Sequence, residues 1–181
     1  MVFAEEYIDV GDKKLLLRSP VEEDAEILID GLRTVCGETP YLAKDSEEIT
    51  MTVEQEKEFI GRIVRSEKDL MIVGFLDGEY VGNCSLNGKS MNRFKHRSVL
   101  GIALYQKYTG QGIGRIMLER LLSVAKEKGY EQVELDVVAT NERAIRLYKR
   151  LGFEICGTFP NQMKYKDGTY ADAYLMVKKL K

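Results

Sequence analysis

The chain has 181 residues, of which 44% are hydrophobic and 31% charged, and its formal net charge at pH 7 is −2. This length and apolar content predict one globular domain, residues 1–181, with a single core. A broad nucleic-acid surface would need a basic excess, so we expect no nucleic-acid partner. The sequence shows neither an apolar run of membrane-spanning length nor a signal-peptide pattern, so we expect no membrane partner.

The few cysteines and the one histidine limit the chemistry further. Cys36, Cys84 and Cys156 are odd in number, widely spaced and outside any CxxC pattern. They indicate a reducing compartment, and we expect a cytoplasmic protein without disulfides or zinc. His96 lies between basic residues, which disfavours a Ser-His-Asp mechanism or a histidine metal cluster. We therefore expect no metal.

In chain order, the first predicted elements are a strand and a helix. The strand covers residues 15–19. The helix begins directly afterwards, with Ser19 as N-cap and Glu22 closing a capping box. A polar, irregular stretch at residues 37–50 follows.

A second amphipathic helix and a hairpin come next. Thr52 and Gln55 form the capping box of this helix, whose apolar residues recur at helical spacing. Two β-type runs then meet at Asp77-Gly78, a turn that favours a tight hairpin because glycine accepts positive φ.

The second half alternates strands and helices. Residues 98–106 predict a strand, and a long helix runs from Gly112 until Lys128-Gly129 stops it. A β run, a short helix over residues 141–153 and two further strands around Asp167-Gly168 complete the chain. This order predicts an α/β layered domain: a mixed central β-sheet flanked by helices, with antiparallel hairpins and one parallel pair linked by the long helix.

Three glycines, Gly110, Gly112 and Gly114, lie in the segment YTGQGIGR between a predicted strand and the long helix. Such a turn presents unpaired backbone amides at the positive end of the helix dipole, which is a phosphate site. A tight turn that binds nothing explains the segment equally well. The segment lacks the Gly-Lys-Ser/Thr ending of a Walker A loop and does not fit the dinucleotide fingerprint. A single diphosphate is therefore the ligand that it suits best.

A second motif decides between these alternatives. The segment NERAIRLYKRLGF, together with YTGQGIGRIMLERLL, resembles the GNAT superfamily of N-acetyltransferases, which carries an R/Q-x-x-G-x-G/A loop and an N-x-x-A-x-x-L-Y-x-K-x-G-F helix. Thr109 replaces the usual Arg or Gln at the first position of the loop motif, which removes one side-chain contact to phosphate. The helix motif is almost complete, with Asn141, Ala144, Leu147, Tyr148, Gly152 and Phe153 in place.

The resemblance implies a GNAT-type fold in which two splayed parallel strands, residues 99–105 and 134–138, form an acetyl-CoA cleft. It implies that the pantetheine arm pairs with the first strand and that a main-chain amide there polarises the thioester carbonyl. The implied cofactor-binding residues are Ile102, Ala103 and Leu104 for the arm, Gly110, Gln111, Gly112, Gly114 and Arg115 for the diphosphate, and Asn141, which also suits a helix N-cap.

Tyr148 is the catalytic residue that the resemblance implies. Its phenol would donate a proton to the departing thiolate, and such acid catalysis contributes about 10²–10⁴ in rate. Outside this motif, a tyrosine on an amphipathic helix would be read as a half-buried packing residue.

The general base and the acceptor site are less specified. Gly101 stands where the family often has a glutamate, which leaves Glu38 and Asp136 as candidates, each also explained as a surface or structural carboxylate. An α-amino acceptor needs only about 1–1.5 kcal/mol to become neutral at pH 7, so water could serve as base. The stretches 37–50 and 159–174 are predicted to line the acceptor pocket, with Glu38, Tyr41, Tyr165 and Tyr170 as substrate-binding residues.

The sequence thus predicts an N-acetyltransferase that moves an acetyl group directly from acetyl-CoA, its co-substrate, to a primary amine of a small molecule. Acetylation of a protein N-terminus or lysine is one alternative. A non-catalytic acyl-CoA-binding sensor is another. A homodimer formed through a terminal strand is left open.

Overall fold

A computed structural model describes residues 1–180, which form eight β-strands and four α-helices. The helices are α1 (Ala25–Glu38), α2 (Val53–Arg65), α3 (Ile113–Glu127) and α4 (Glu142–Arg150). The strands are β1 (Glu6–Val10), β2 (Lys13–Arg18), β3 (Asp69–Leu76), β4 (Glu79–Gly88), β5 (Arg97–Leu104), β6 (Gln132–Val138), β7 (Glu154–Lys164) and β8 (Tyr170–Lys179). No helix in this range combines the length and the apolar character that crossing a membrane requires.

The chain divides into two compact units, and β5 and α3 each contribute to both. The first unit comprises residues 1–87 and 101–121, and the second comprises residues 88–100 and 122–181. That the whole chain is one domain stays a prediction.

In the first unit, β1, β2, β3 and β4 pair in chain order, each antiparallel to the next. Alternate residues of β3 point to opposite faces. Val73 packs on the face that carries Ala25 of α1 and Ile60 of α2. On the other face lies α3, where a Cβ on Gly74 would contact Met117. The unit therefore has a sheet between two helical layers.

The end of β5 lies beside β4 in the same unit. The amide of Tyr105 donates to the carbonyl of Val81 at 3.0 Å. Gly82 has a φ of +144°, and a Cβ there would come within 2.2 Å of the carbonyl oxygen of Ala103. Only glycine allows this approach between the two strands, so Gly82 fixes β4 against the last residues of β5.

The second unit contains the start of β5 followed by β6, β8 and β7. Strand β5 pairs parallel to β6 over three residue pairs, from Arg97↔Gln132 to Val99↔Glu134. Strand β6 pairs antiparallel with β8, and β8 with β7. The pairing of β5 with β6 ends at Val99, whereas β5 continues to Leu104 and β6 to Val138.

The fold class and most elements agree with the sequence predictions. The sheet strands are mixed in direction, and α3 connects the one parallel pair, β5 and β6. The capping box of α2 is confirmed, since Gln55 donates its amide to the Thr52 hydroxyl at 3.2 Å and accepts from the Thr52 amide at 2.9 Å. The hairpin turn is confirmed at Asp77 and Gly78, whose φ values are +49° and +85°.

The predicted start of the first helix is wrong. A 3₁₀ turn, Glu22–Asp24, precedes α1, and the Asp24 carboxylate accepts from the Val21 amide at 2.8 Å. Arg18 holds this carboxylate through two hydrogen bonds of 2.6 and 2.8 Å. Ser19 does not cap the helix, because its hydroxyl accepts from the Phe3 amide. The local sequence could not reveal this, because the cap depends on an arginine of β2.

Candidate active site

The loop between β5 and α3 is stabilised by a hydrogen bond within the loop and by another from α1. It contains a 3₁₀ turn, Gln106–Tyr108, and the Thr109 hydroxyl donates to the carbonyl of Gln106, the first residue of this turn, at 2.7 Å. Glu38, at the end of α1, accepts from the Gln106 backbone amide at 2.7 Å. Thr109, the residue that departs from the family motif, therefore stabilises the turn.

Gly110 and Gly112 give the loop its path into α3. Their φ values are +81° and +84°, and a Cβ built on either meets no atom within 4 Å. The space in front of both residues is open, so the glycines serve the backbone conformation and leave room for a ligand to approach.

The start of α3 presents amides that a helix cannot pair. The amide of Ile116 donates to the carbonyl of Gly112 at 3.0 Å. The amides of residues 113–115 precede this bond and belong to the set that an α-helix leaves without intrahelical acceptors. The loop and helix start therefore fit a diphosphate, which needs several convergent N–H donors and no side chain in its way.

Two side chains of this segment already have partners. Gln111 donates its side-chain amide to the carbonyl of Lys107 at 2.9 Å. Arg115 pairs with Glu119 one turn later at 2.7 Å, with more than half of its side chain exposed. Any contact of Gln111 to a phosphate would therefore come from its backbone, whereas the Arg115 guanidinium lies on an exposed surface from which it can exchange partners.

Ile102, Ala103 and Leu104, the residues predicted to hold the pantetheine arm, form the end of β5 and are each partly buried. A Cβ on Gly82 would contact the Ala103 carbonyl oxygen and both the backbone and the side chain of Leu104. Gly101 precedes them, and a Cβ there would lie 3.4 Å from the Ser85 hydroxyl of β4. Gly101 thus faces a small polar side chain.

Tyr148 lies in the second unit, on α4, and is 7% exposed. Its ring packs edge-on against Phe153 at a centroid distance of 5.9 Å. Burial raises the pKa of Tyr148 to about 12. This pKa keeps the phenol protonated at neutral pH, and because its hydroxyl has no hydrogen-bond partner within residues 1–180, it is available as a donor.

Asn141 caps α4. Its side-chain oxygen accepts from the Ala144 amide at 3.2 Å, as the sequence predicted for an N-cap. The helix ends at Arg150, and Gly152 in the turn after it has a φ of +87°, while the Phe153 amide donates to the Tyr148 carbonyl at 3.0 Å. The cap and the end contact together fix the orientation of α4 and of Tyr148 within this unit.

The other predicted substrate residues are spread over both units. Glu38 and Tyr41 belong to the first unit, where Glu38 already binds the Gln106 amide. Tyr165 and Tyr170 belong to the hairpin of β7 and β8, and Tyr170 is 55% exposed with Lys164 over its ring. Asp136 is an exposed residue of β6. Their roles toward a substrate stay predictions.

A cavity of about 270 Å³ in the first unit was not predicted from the sequence. It lies among α1, α2, β3 and β4, and Glu56 is its one acidic lining residue. The signal was present: Glu56 shares the inner face of α2 with Ile60 and Ile63, at positions i, i+4 and i+7. The lining residues are Leu28, Leu32, Met51, Gln55, Glu56, Phe59, Met71 and Asn83.

Comparison with known proteins identifies the family. The acetyltransferase (GNAT) family matches residues 32–153, which is more than half of the chain. The chain belongs to this family. The match contains both motifs, the loop at residues 108–115 and the helix at residues 141–153, so the family membership inferred from them is confirmed.

Relatives within the GNAT family differ in acceptor. The L-amino acid N-acetyltransferase AaaT of Escherichia coli is 28% identical over 108 residues, 59% of this chain and 66% of that protein. An N-alpha-acetyltransferase of Sulfurisphaera tokodaii is 33% identical over 125 residues, 68% of this chain and 72% of that protein. The chain thus spans just under two thirds of the first relative and somewhat more of the second.

Solved structures agree with the family's fold. A GNAT acetyltransferase from Streptococcus pneumoniae is 28% identical, with a TM-score of 0.87 over 91% of this chain and 99% of that chain. The structure of yncA from Salmonella typhimurium, with its cofactor acetyl-CoA, is 20% identical, with a TM-score of 0.81 over 92% and 94% of the two chains. The GNAT-type fold is confirmed, and the cofactor of yncA agrees with the co-substrate predicted from the sequence.

Proposed function

We propose that this GNAT acetyltransferase transfers the acetyl group of acetyl-CoA directly to a primary amine of a small molecule. The observation that carries the proposal is the glycine loop at the start of α3, with two positive-φ glycines facing open space and a set of unpaired helix amides. This arrangement accepts a diphosphate, the charged group that CoA presents.

Each part of the chain has a distinct task in the proposed reaction. The amides of Gly110, Gly112 and Arg115 bind the diphosphate, while Ile102, Ala103 and Leu104 offer main-chain groups to the pantetheine arm. When bound, acetyl-CoA supplies the activated acetyl group as a thioester. A backbone amide at the end of β5 polarises its carbonyl, which makes the carbon more open to attack by the amine.

Tyr148 serves as the general acid. Its pKa of about 12 keeps the phenol protonated at neutral pH, and its hydroxyl lacks a partner among residues 1–180. As the amine nitrogen bonds to the carbonyl carbon and the C–S bond breaks, the hydroxyl proton is donated to the departing thiolate sulfur, and the proton that the nitrogen loses returns through water to the phenolate. Asn141 fixes the first turn of α4 and so holds Tyr148 in orientation.

A thiol-release assay with acetyl-CoA and a panel of amines tests this proposal. The panel holds aliphatic and aromatic monoamines, free amino acids, a polyamine and a short peptide with a free N-terminus. We expect thiol release that depends on a small amine, with acetylated product found by mass spectrometry.

The same assay tests two other functions. Acetylation of a protein N-terminus is favoured by the resemblance to the Sulfurisphaera tokodaii enzyme. Faster turnover of the peptide than of every small amine would replace the small-molecule proposal with that activity. Acetyl-CoA binding without turnover of any amine would instead favour a sensor of the cofactor.

A further inference from the structure

The cavity in the first unit has an apolar lining with a single acidic group. Its walls come from α1, α2, β3 and β4, and Leu28, Phe59 and Met71 are among the apolar residues. Gln55 and Asn83 contribute amides, and the lining contains no lysine or arginine. At about 270 Å³, the cavity is just below the roughly 300–1,000 Å³ typical of drug-sized ligands, so its guest is small.

Glu56 is buried in this lining without a partner. It is 7% exposed, and within residues 1–180 its carboxyl makes neither a hydrogen bond nor an ion pair. Burial raises the pKa of the Glu56 carboxyl. Buried carboxylates are otherwise paired or hydrogen-bonded, because transfer out of water disfavours the charged form. A cationic guest would supply the missing partner.

The cavity also borders the strand that we assign to the pantetheine arm. Strands β4 and β5 run antiparallel to each other, since the Tyr105 amide donates to the Val81 carbonyl while Gly101 faces Ser85. This register places Asn83, a lining residue, beside Ala103. The Asn83 side-chain NH₂ donates to the Tyr80 hydroxyl at 2.7 Å. Its carbonyl oxygen remains to accept from an ammonium group.

We propose that this cavity binds the acceptor as a small primary amine with an apolar body, its ammonium group paired with the Glu56 carboxylate. The apolar body contacts Leu28, Phe59 and Met71, and the lining offers no cation for a carboxylate on the guest. The acceptor class is therefore an alkyl or arylalkyl monoamine rather than a free amino acid. The assignment of this guest as acceptor rests on the proposed transferase function.

Two matched ligands test the cavity directly. 2-Phenylethylamine and phenylalanine share an apolar group, but only phenylalanine carries a carboxylate. Calorimetry is performed with CoA present in place of acetyl-CoA, so that no transfer occurs. The full-length protein is expected to bind the amine at least about 10-fold more tightly than the amino acid, because the carboxylate must be desolvated without a partner.

Glu56→Gln removes the charge and keeps the shape. The variant is expected to bind 2-phenylethylamine about 10- to 100-fold more weakly, as loss of a charged hydrogen bond predicts. In the transfer assay, KM for the amine rises by a similar factor. Thermal stability is unchanged or higher, because a buried unpartnered carboxyl has been removed. Glu58→Gln, an exposed residue of the same helix, serves as control and should change none of these values.

Leu32→Phe provides a second variant that fills the cavity without touching Glu56. It should weaken 2-phenylethylamine binding and leave acetyl-CoA binding at the wild-type value. Equal amine affinity in wild type and Glu56→Gln, or tighter binding of phenylalanine than of the amine, would overturn the cavity assignment. Failure of the wild type to bind acetyl-CoA would instead contradict the proposed function, so the two failures are distinguishable.

Discussion

Tyr148 and Glu56 are the two buried side chains on which the proposed reaction depends, and each is 7% exposed. Tyr148 was inferred from the helix motif, and the structure shows a buried phenol without a hydrogen-bond partner among residues 1–180. Glu56 was missed, because a glutamate between Glu54 and Glu58 resembles a solvated charge run. Its place on the same helix face as Ile60 and Ile63 was the sequence signal of its burial, and that signal was overlooked.

Tyr148→Phe isolates the role of the hydroxyl. We expect kcat to fall by about 10²–10⁴, because the leaving thiolate loses its proton donor. The dissociation constant for acetyl-CoA and the melting temperature should stay close to the wild-type values, since the ring is kept and the hydroxyl has no partner within residues 1–180. Stopped thiol-release assays and calorimetry measure the two quantities.

Tyr130→Phe is the matched control, because Tyr130 is another buried tyrosine of the second unit. It should keep wild-type turnover. Full turnover in Tyr148→Phe would remove the acid assignment while leaving the cofactor site intact.

At the scale of elements, the sequence predicted those whose ends are fixed locally. Four consecutive residues or fewer are enough to predict the capping box of α2 and the glycine turns. These turns, at Gly78, Gly129 and Gly168, all lie where expected. The predicted start of α1 was wrong because a 3₁₀ turn precedes the helix, and this turn is closed by Asp24, whose carboxylate Arg18 of β2 holds. Strand β1 was not predicted, since its exposed alternating residues give a weak pattern that only pairing with β2 completes.

Two variants compare a helix start that is stabilised within its own segment, at Thr52, with one that depends on a distant strand, at Asp24. Asp24→Ala should lower the free energy of unfolding by about 3 kcal/mol, because the Arg18 guanidinium loses its carboxylate partner and the Val21 amide loses its acceptor. Thr52→Ala, the matched loss of a local cap, should cost only about 1 kcal/mol. Urea unfolding measures both. Equal losses would show that Arg18 adds nothing to the start of α1.

For the molecule as a whole, the fold class and the family were predictable from the sequence, whereas the acceptor was not. The fold follows from periodicity and order of elements, and the family follows from two motifs. The cavity that we propose as the acceptor site is lined by side chains from α1, α2, β3 and β4, which lie far apart in the chain. No sequence pattern predicts that Leu28, Glu56 and Asn83 line one cavity, because their proximity depends on the fold.

The pH dependence of stability follows from paired carboxylates. The Arg97 guanidinium holds the pKa of the Glu134 carboxyl below its ordinary value, with a hydrogen bond of 2.8 Å from one nitrogen. A lowered pKa means that the pair stabilises the fold above the pKa of an unfolded glutamate, and that this stability is lost as pH falls through the lowered value. We expect the urea midpoint to decrease between about pH 5 and pH 3.

Glu134→Gln should be less stable at neutral pH and should show a smaller decrease in acid, because the titrating group is gone. Glu142→Gln, whose partner Arg146 is exposed, should follow the wild-type curve. Parallel pH curves for wild type and Glu134→Gln would show that the pair does not contribute to acid unfolding.

Calorimetry tests whether the loop at the start of α3 holds the diphosphate. Acetyl-CoA is titrated into the wild type and into the variants Gly112→Ala and Gly129→Ala. Gly112 and Gly129 have φ values of +84° and +83°, and a Cβ on either meets no atom within 4 Å. Alanine therefore strains both backbones alike. We predict one binding site in the wild type, retained in Gly129→Ala and weakened at least about 10-fold in Gly112→Ala. Equal affinity in all three proteins, or no binding to the wild type, would contradict the account.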